Sequence, residues 1–272
     1  AAQLQEQEAE LNRLEADRLA ELARIEQAAR DQELAKIRYE TVERENMVKI
    51  AHQDEARKML HVVMKDSLLK ACQTGDLEDV REILTCDINP NVVLEEIEGR
   101  NGLHIAVCGG HAPVVDLLLR TSGVDCDIYD KTHLTALQIA CTKADEACMT
   151  LLVASGADPL LSYEFDAPCA IDVLCNPDNA DLLRILLLAC DKNTLSRIEN
   201  SLTKRQKNNA GGKSLLDKMI SSNSYRCIEV IFDFITPSSY VLDIPDDRGR
   251  TYLNIASVLG HSRIVEIILK YN

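Results

Sequence analysis

Residues 102–118 read GLHIAVCGGHAPVVDLL, and residues 252–268 read YLNIASVLGHSRIVEII. Both stretches carry Leu-x-x-Ala, a Gly-His pair four residues later, then a Val and two adjacent aliphatics. A spaced pattern that recurs across a chain marks one supersecondary unit used repeatedly, and this limits the fold more than composition does. Anchoring each unit on the residue that closes Leu-x-x-Ala, or its equivalent, gives Ala71, Ala106, Ala140, Leu174, Met219 and Ala256. Successive anchors are 35, 34, 34, 45 and 37 residues apart. Nine residues after them stand Val80, Val115, Met149, Leu183, Ile228 and Val265, and aliphatic or aromatic pairs follow at twelve and thirteen.

The spacing predicts a helix–turn–helix unit. Gly75, Gly110 and Gly260 lie four residues after their anchors, where a first helix must end in a positive-φ residue. Ala144, Asp178 and Asn223 take that place in the other units. The second helix then carries an aliphatic face at 3.6-residue spacing. One such pair cannot bury both faces, so neighbours must stack, and the predicted fold is an all-α solenoid of about six units. Composition agrees: 46% of residues are apolar but only 4% aromatic, with no Trp, so the core must be aliphatic.

These units resemble the ankyrin-repeat family, whose signature is Asp-x-x-Gly-x-Thr-Pro-Leu-His-x-Ala followed by Gly-His. Asp246, Gly249, Thr251, Leu253, Ala256, Gly260 and His261 fit it, as do Gly99, Leu103, His104, Ala106, Gly110 and His111. Asp130, Thr135, Leu137 and Ala140 give a partial match followed by Gly156-Ala157-Asp158, and Gly212, Ser214 and Leu216 a weaker one. The unit around Cys169 and Ile171 is degenerate. The resemblance spans Asp66 to Asn272, although the signature Pro is missing from every well-matched repeat. The 45-residue interval implies an insertion within 189–209, where Leu195, Ile198 and Leu202 suit an extra amphipathic turn or helix beside the polar Lys204, Arg205, Lys207, Asn208 and Asn209. The first repeat lacks its hairpin half, as an N-terminal cap would. No polar cap follows Lys270, so the stack is truncated or further residues complete it; Ala at position 1 likewise suggests a piece of a longer protein.

Residues 1–65 form a second predicted domain, a long charged helix. Ala1 to Cys72 contains neither Gly nor Pro and is rich in good helix formers. Glu26/Arg30, Glu40/Arg44, Glu45/Lys49 and Asp54/Lys58 stand at i,i+4 with the acid first, the favourable order. Some 60 residues of continuous helix would extend roughly 90 Å. Leu4, Leu11, Leu14, Leu22, Ile25, Leu34, Ile37, Val48 and Met59 occupy mixed three- and four-residue steps, while Arg18 breaks the best heptad column. The spacings 11/22 and 14/25 fit an eleven-residue period as well as a heptad, so a coiled coil and a charged helix laid on another subunit both remain open. Asp66 or Ser67 is the expected N-cap, around which this helix breaks or bends and the repeats begin.

Net charge −14 disfavours nucleic acid and anionic membranes as direct partners. No apolar run suits a membrane span or a secretory leader. The ten cysteines form no Cys-x-x-Cys and read as reduced core fillers of an intracellular, cytoplasmic protein, with a metal or redox role as the alternative. Gly211-Gly212-Lys213-Ser214 looks like the tail of a phosphate-binding loop, but Lys207 stands where its first glycine belongs. No Gly-x-Ser-x-Gly or His-Glu-x-x-His occurs. His104 and Cys108 at i,i+4 are only two potential zinc ligands, and His52 and His61 are nine residues apart. No catalytic residue, metal or cofactor is therefore assigned.

The ankyrin resemblance implies instead a protein partner held by the hairpin tips and the exposed side of the first helices. Those places map to Ile97, Glu98, Arg100 and Cys108; to Lys131, Thr132, Leu134, Thr142 and Lys143; to Phe165, Asp166 and Asn176; and to Asp247, Arg248, Arg250, Val258 and Leu259. Arg100, Lys131, Leu134, Lys143, Phe165, Arg248 and Arg250 are the strongest candidates, as basic groups on an acidic protein and an exposed aromatic. It further implies that His104 bonds backbone between repeats and that His111 and His261 cap and pack the second helices. The expected function is a non-enzymatic scaffold or adaptor whose long helix dimerises or docks, in a cytoskeletal or other large assembly. The alternative is a regulatory or substrate-recruiting fragment of a kinase, acyltransferase or ubiquitin ligase. A transcriptional cofactor is disfavoured because no basic cluster is present.

Overall fold

The computed structural model describes residues 2–86, 88–94, 98–164, 167–175, 179–203, 214–235, 242–246 and 248–271. The chain divides into two units, Ala1–Val62 and Val63–Asn272.

The glycine-free N-terminal sequence forms one helix, α1, over Ala2–Thr74. The expected break at Asp66 or Ser67 does not occur. Ser67 Oγ donates to Val63 O at 2.9 Å, a bond of the helix interior, and no helix-breaking residue intervenes before Gly75 at φ 78°. Within the first unit Leu22, Ile25, Leu34, Ile37, Val48 and Met59 are between 48% and 64% exposed. The side chains of Leu4, Leu11 and Leu14 lie outside the described residues. The Glu26–Arg30 pair forms at 3.8 Å with both groups exposed, where it contributes little.

The second unit is built of antiparallel helix pairs: the end of α1 with α2 (Leu77–Leu84), α3 (Gly102–Gly109) with α4 (Ala112–Leu119), α5 (Ala136–Lys143) with α6 (Glu146–Ala154), and α7 (Ala170–Leu174) with α8 (Ala180–Ala189). After α9 (Lys192–Thr203) come α10 (Leu215–Ser221) with α11 (Tyr225–Phe234), then α12 (Tyr252–Val258) with α13 (Ser262–Tyr271). First helices stack in one row (α3, α5, α7, α10, α12) and second helices in another (α2, α4, α6, α8, α11, α13). This is the all-α ankyrin-type solenoid. A two-residue antiparallel hairpin, β1 (Val93–Leu94) with β2 (Arg100–Asn101), precedes α3 and pairs Val93 with Asn101.

The anchor residues share one backbone bond. The carbonyls of Ala71, Ala106, Ala140, Met219 and Ala256 each accept the amide of the residue five positions on, at 3.0 to 3.1 Å. This is the six-to-one closure of a helix C-terminus, which needs a left-handed residue just before the donor. Gly110 supplies it at φ 71°, and Ala144 and Asn223 adopt it at φ 57° despite their Cβ atoms. Asp178 lies outside the described residues. Each second helix then restarts at once, with Asp76 and Asp145 accepting amides of its first turn.

The core runs the length of the stack and is aliphatic, as in Leu118, Leu137, Leu152, Leu183 and Leu186, with Phe232 and Tyr252 as large aromatic contributors. Each such side chain contributes about 1.5–3 kcal/mol through removal from water. In the inserted segment, α9 turns Ile198 and Leu202 into this core and leaves Leu195 half-buried. Lys204 to Lys213 lie outside the described residues. Burial pushes the thiols of Cys72, Cys141, Cys148 and Cys169 up to about 12.

Candidate partner-binding surface

A surface available to a partner is what remains after the repeats have bonded to one another. In three repeats the residue two before the anchor works between repeats. His104 places Nε2 3.2 Å from Leu134 O of the next repeat and Nδ1 2.6 Å from Asn101 Oδ1. In the next repeat Gln138 does the same work, donating Nε2–H to Leu161 O at 3.2 Å and Pro168 O at 2.8 Å while its Oε1 accepts Thr135 N–H. Asp172 accepts Lys218 Nζ at 2.7 Å across the following junction, and Ser214, bonded to Asp217, reaches Tyr252 Oη at 3.0 Å across the next.

His111 differs from expectation. Its side chain does not cap α4; Nε2 donates instead to Gln73 O at 3.0 Å, at the end of the preceding first helix. The ring fills the space where Gly75 and Gly109 lack a Cβ.

The turns at the hairpin tips are organised by aspartates. Asp130 is buried, and its Oδ1 accepts Thr132 N–H at 2.8 Å, Thr132 Oγ1–H at 2.5 Å and Leu134 N–H at 3.0 Å. Its Oδ2 accepts Arg100 Nε–H at 3.2 Å, and Arg100 also meets Glu98 at 2.7 Å. Burial alone would raise the Asp130 carboxyl, but bonds from Thr132, Leu134 and Arg100 hold it below the usual range. Asp246 repeats the arrangement locally, accepting Arg248 N–H, Arg250 N–H and Arg250 Nε–H, and bonds from Arg250 bring its carboxyl down to about 2.

The predicted site residues therefore fall into different settings. Arg100 and Arg250 are engaged with turn aspartates, so their charges already serve the fold. Leu134 is half-buried and packed on the core, and its carbonyl takes the His104 bond. Lys131, Lys143 and Arg248 are exposed. Glu98, Thr132 and Thr142 are exposed too, Cys108 is half-buried, and Val258 and Leu259 are 77% and 47% exposed at the end of α12. Ile97, Phe165, Asp166, Asn176 and Asp247 lie outside the described residues. Lys131 and Lys143 bracket one tip and first helix, and Arg248, Val258 and Leu259 bracket another.

Three residues not singled out in the sequence complete the surface. Tyr163 stacks on His133 with ring centroids 3.7 Å apart and planes 20° apart, and meets Tyr129 edge-on at 5.4 Å. Tyr129 and Tyr163 are 34 residues apart, one repeat period, so equal phase in adjacent repeats was the signal that places them together.

Among the described residues no group of three or more His, Cys, Asp or Glu is arranged to hold a metal, and no helix is long and apolar enough to cross a membrane.

Residues 68–162 match the sequence family described as ankyrin repeats, in three copies. The RelA-associated inhibitor of Mus musculus is 34% identical over 110 residues, covering 40% of this chain and 13% of that protein. The ankyrin repeat and KH domain-containing protein mask-1 of Caenorhabditis elegans is 29% identical over 121 residues, 44% of this chain and 4% of its own length. The probable E3 ubiquitin-protein ligase XBOS32 of Oryza sativa subsp. japonica is 26% identical over 206 residues, 75% of this chain and 37% of that protein. The chain thus spans well under two thirds of each of these relatives.

Proposed function

We propose that this chain, a member of the ankyrin-repeat family, is a non-enzymatic scaffold that holds a protein partner on one edge of its repeat stack and a second helix along α1. The repeats make it a protein–protein interaction module. The finer reading is carried by the division of labour at the surface. Residues that match the repeat pattern are consumed by stacking, whereas Lys131, Lys143, Arg248, Val258 and Leu259 differ from repeat to repeat and are exposed. The tips and first-helix face they occupy would take a protein partner, and a rigid stack fixes their spacing without ordering cost.

The second contact rests on α1, whose exposed Leu22, Ile25, Ile37, Val48 and Met59 leave much apolar area in water. A second copy of the chain or another long helix would cover it, which suits a cytoskeletal or other large assembly. Free thiols such as Cys72, Cys141, Cys148 and Cys169 fit a reducing, cytoplasmic setting.

Capture experiments with the intact chain and with Lys131→Glu plus Arg248→Glu test the stack. Loss of a partner supports the assignment, and retention of every partner overturns it. Sedimentation of the intact chain beside Ile37→Asp plus Val48→Asp tests the helix: the wild type associates and the variant does not, whereas a wild type that stays monomeric at high concentration refutes self-association.

A second reading, a substrate-recruiting fragment of a ubiquitin ligase, is favoured by one observation: the match to the relative named a probable E3 ligase extends over 75% of this chain. It predicts that captured partners become ubiquitinated when the chain is supplied within its full reading frame.

A further inference from the structure

We propose that Tyr129, His133 and Tyr163 form a recognition site for an arginine side chain in a basic segment of a partner protein. This rests on reading the chain as an interaction module and assigns one of its surfaces a ligand chemistry.

The first support is the backbone at His133. In the turn Asp130-Lys131-Thr132-His133, the histidine occupies the position that Gly249 holds after Asp246, and its φ is 62° against 73° for Gly249 and 65° for Gly99. The turn needs a left-handed residue and elsewhere uses the one without a side chain. Here an imidazole is held there by His133 N–H donating to Asp130 O at 2.9 Å and by Leu134 N–H donating to Asp130 Oδ1 at 3.0 Å. Turn geometry gives no reason for the ring, and sparsely populated backbone retained in a well-bonded turn is a mark of functional positioning.

The second support is exposure. Tyr163 is 49% exposed and His133 is exposed, so the stack lies outside the core and burial does not explain it. Two rings parallel at 3.7 Å and a third edge-on make a rigid aromatic platform that loses little entropy on binding.

The third support is charge. Glu164, next in sequence to Tyr163, is exposed, and burial first and then the nearby carboxylates of Asp127 and Asp158 push the Tyr129 phenol up. Asp127 Oδ1 accepts Asp158 N–H at 3.0 Å, fixing these acids across the repeat boundary. The basic groups facing the same place are Arg197, paired to Asp158 at 2.6 Å, and Lys131, whose backbone is tied to Glu98. Tyrosine faces with carboxylates at their rim suit a cation, and a planar guanidinium both stacks and donates two parallel bonds to a carboxylate, which a lysine ammonium does not.

The test uses the full chain and fluorescein-labelled heptapeptides of sequence GSRGRSG, with Lys-for-Arg, Glu-for-Arg and Leu-for-Arg versions, read by anisotropy at constant salt. The Arg peptide binds about fivefold or more tighter than the Lys version and the Glu version does not bind. His133→Gly, which suits the turn, and Tyr163→Ala each weaken Arg-peptide binding about tenfold, and Tyr163→Phe restores it. The denaturation midpoint of His133→Gly stays at or above that of the wild type, separating recognition from folding. No binding of the Arg peptide, equal binding of the Lys or Leu version, or undiminished binding by both ring variants overturns the inference. A chain that fails this test while losing a captured partner on Lys131→Glu plus Arg248→Glu keeps its interaction role and loses only the arginine site.

Discussion

Replacing Asp130 by Ala removes the acceptor of four hydrogen bonds at once, and the size of the loss follows from who is left without a partner. Thr132 N–H, Thr132 Oγ1–H and Leu134 N–H all point at Oδ1, and Arg100 Nε–H points at Oδ2. Bonds to a charged acceptor contribute about 1.5–3 kcal/mol each, so the three turn donors alone come to roughly 4.5 kcal/mol at the lower figure. Thr132 is exposed and regains water, and Arg100 keeps Glu98 at 2.7 Å, so the expected net loss is about 3 kcal/mol. Asp130→Asn keeps an oxygen for the turn donors and gives up the charge facing Arg100, for a loss of about 1 kcal/mol. Urea denaturation followed by circular dichroism should show a midpoint drop of roughly 1–2 M for the Ala variant, with hydrogen exchange quickening first in peptides spanning 98–144. The pH dependence follows from the same contacts. The folded carboxyl titrates below its unfolded value, so its contribution is complete above the unfolded pKa and fades as pH falls through the folded one. Asp130→Asn therefore flattens the acid limb of the stability curve. A loss under about 1 kcal/mol for Ala, or Asn as damaging as Ala, refutes the view that this carboxylate organises the tip.

Ala144→Gly relieves a left-handed residue at φ 57° but loosens the unfolded chain, for a net gain of about 0.5–1 kcal/mol in the denaturation midpoint; destabilisation contradicts the left-handed cap. His104→Gln keeps the bridge that Gln138 makes one repeat later and should fall within about 1 kcal/mol of wild type, whereas His104→Ala deletes the side-chain bonds to Leu134 O and Asn101 Oδ1, each of which keeps one backbone donor, and costs about 1–2 kcal/mol by the same assay. Gly109→Ala puts a Cβ into the His111 ring and breaks its bond to Gln73 O, lowering the midpoint by about 1–2 kcal/mol although Ala is the better helix former; a gain in stability would place His111 elsewhere.

The stack was legible because its information is local and periodic: the anchors, the aliphatic pairs and the left-handed caps recur at fixed offsets. The use of Gln138 in the place of His104 was not, since a signature names residue types and the structure needs only a side chain with a donor reaching the next repeat. Basic residues need the structure for a related reason. Arg100 and Arg250 look alike to Lys131 and Arg248 in a charge count, and only the position of Asp130 and Asp246 separates an engaged guanidinium from an exposed one. Ser67 shows the limit of capping rules, because the same hydroxyl that starts a helix also bonds back within one when nothing upstream breaks it. The aromatic platform was written in the sequence as a histidine where the turn uses glycine and as two tyrosines one period apart, and it emerges once phase within the repeat is read as proximity.

The carbonyl shared by the anchors has a consequence for how such a chain changes length. Ala71, Ala106, Ala140, Met219 and Ala256 close their helices through the same bond, so the backbone leaves each by an equivalent path. A recombination joining the residue before one anchor to the anchor of another unit would reproduce a native junction, and only the two faces newly brought together would need to refit. Duplication and loss of whole periods are thus mild events for this fold, while a cut at any other phase strands half a unit. The 45-residue interval shows the one other tolerated edit: added chain placed after a second helix, where α9 tucks Ile198 and Leu202 into the existing core and the next anchor resumes the count.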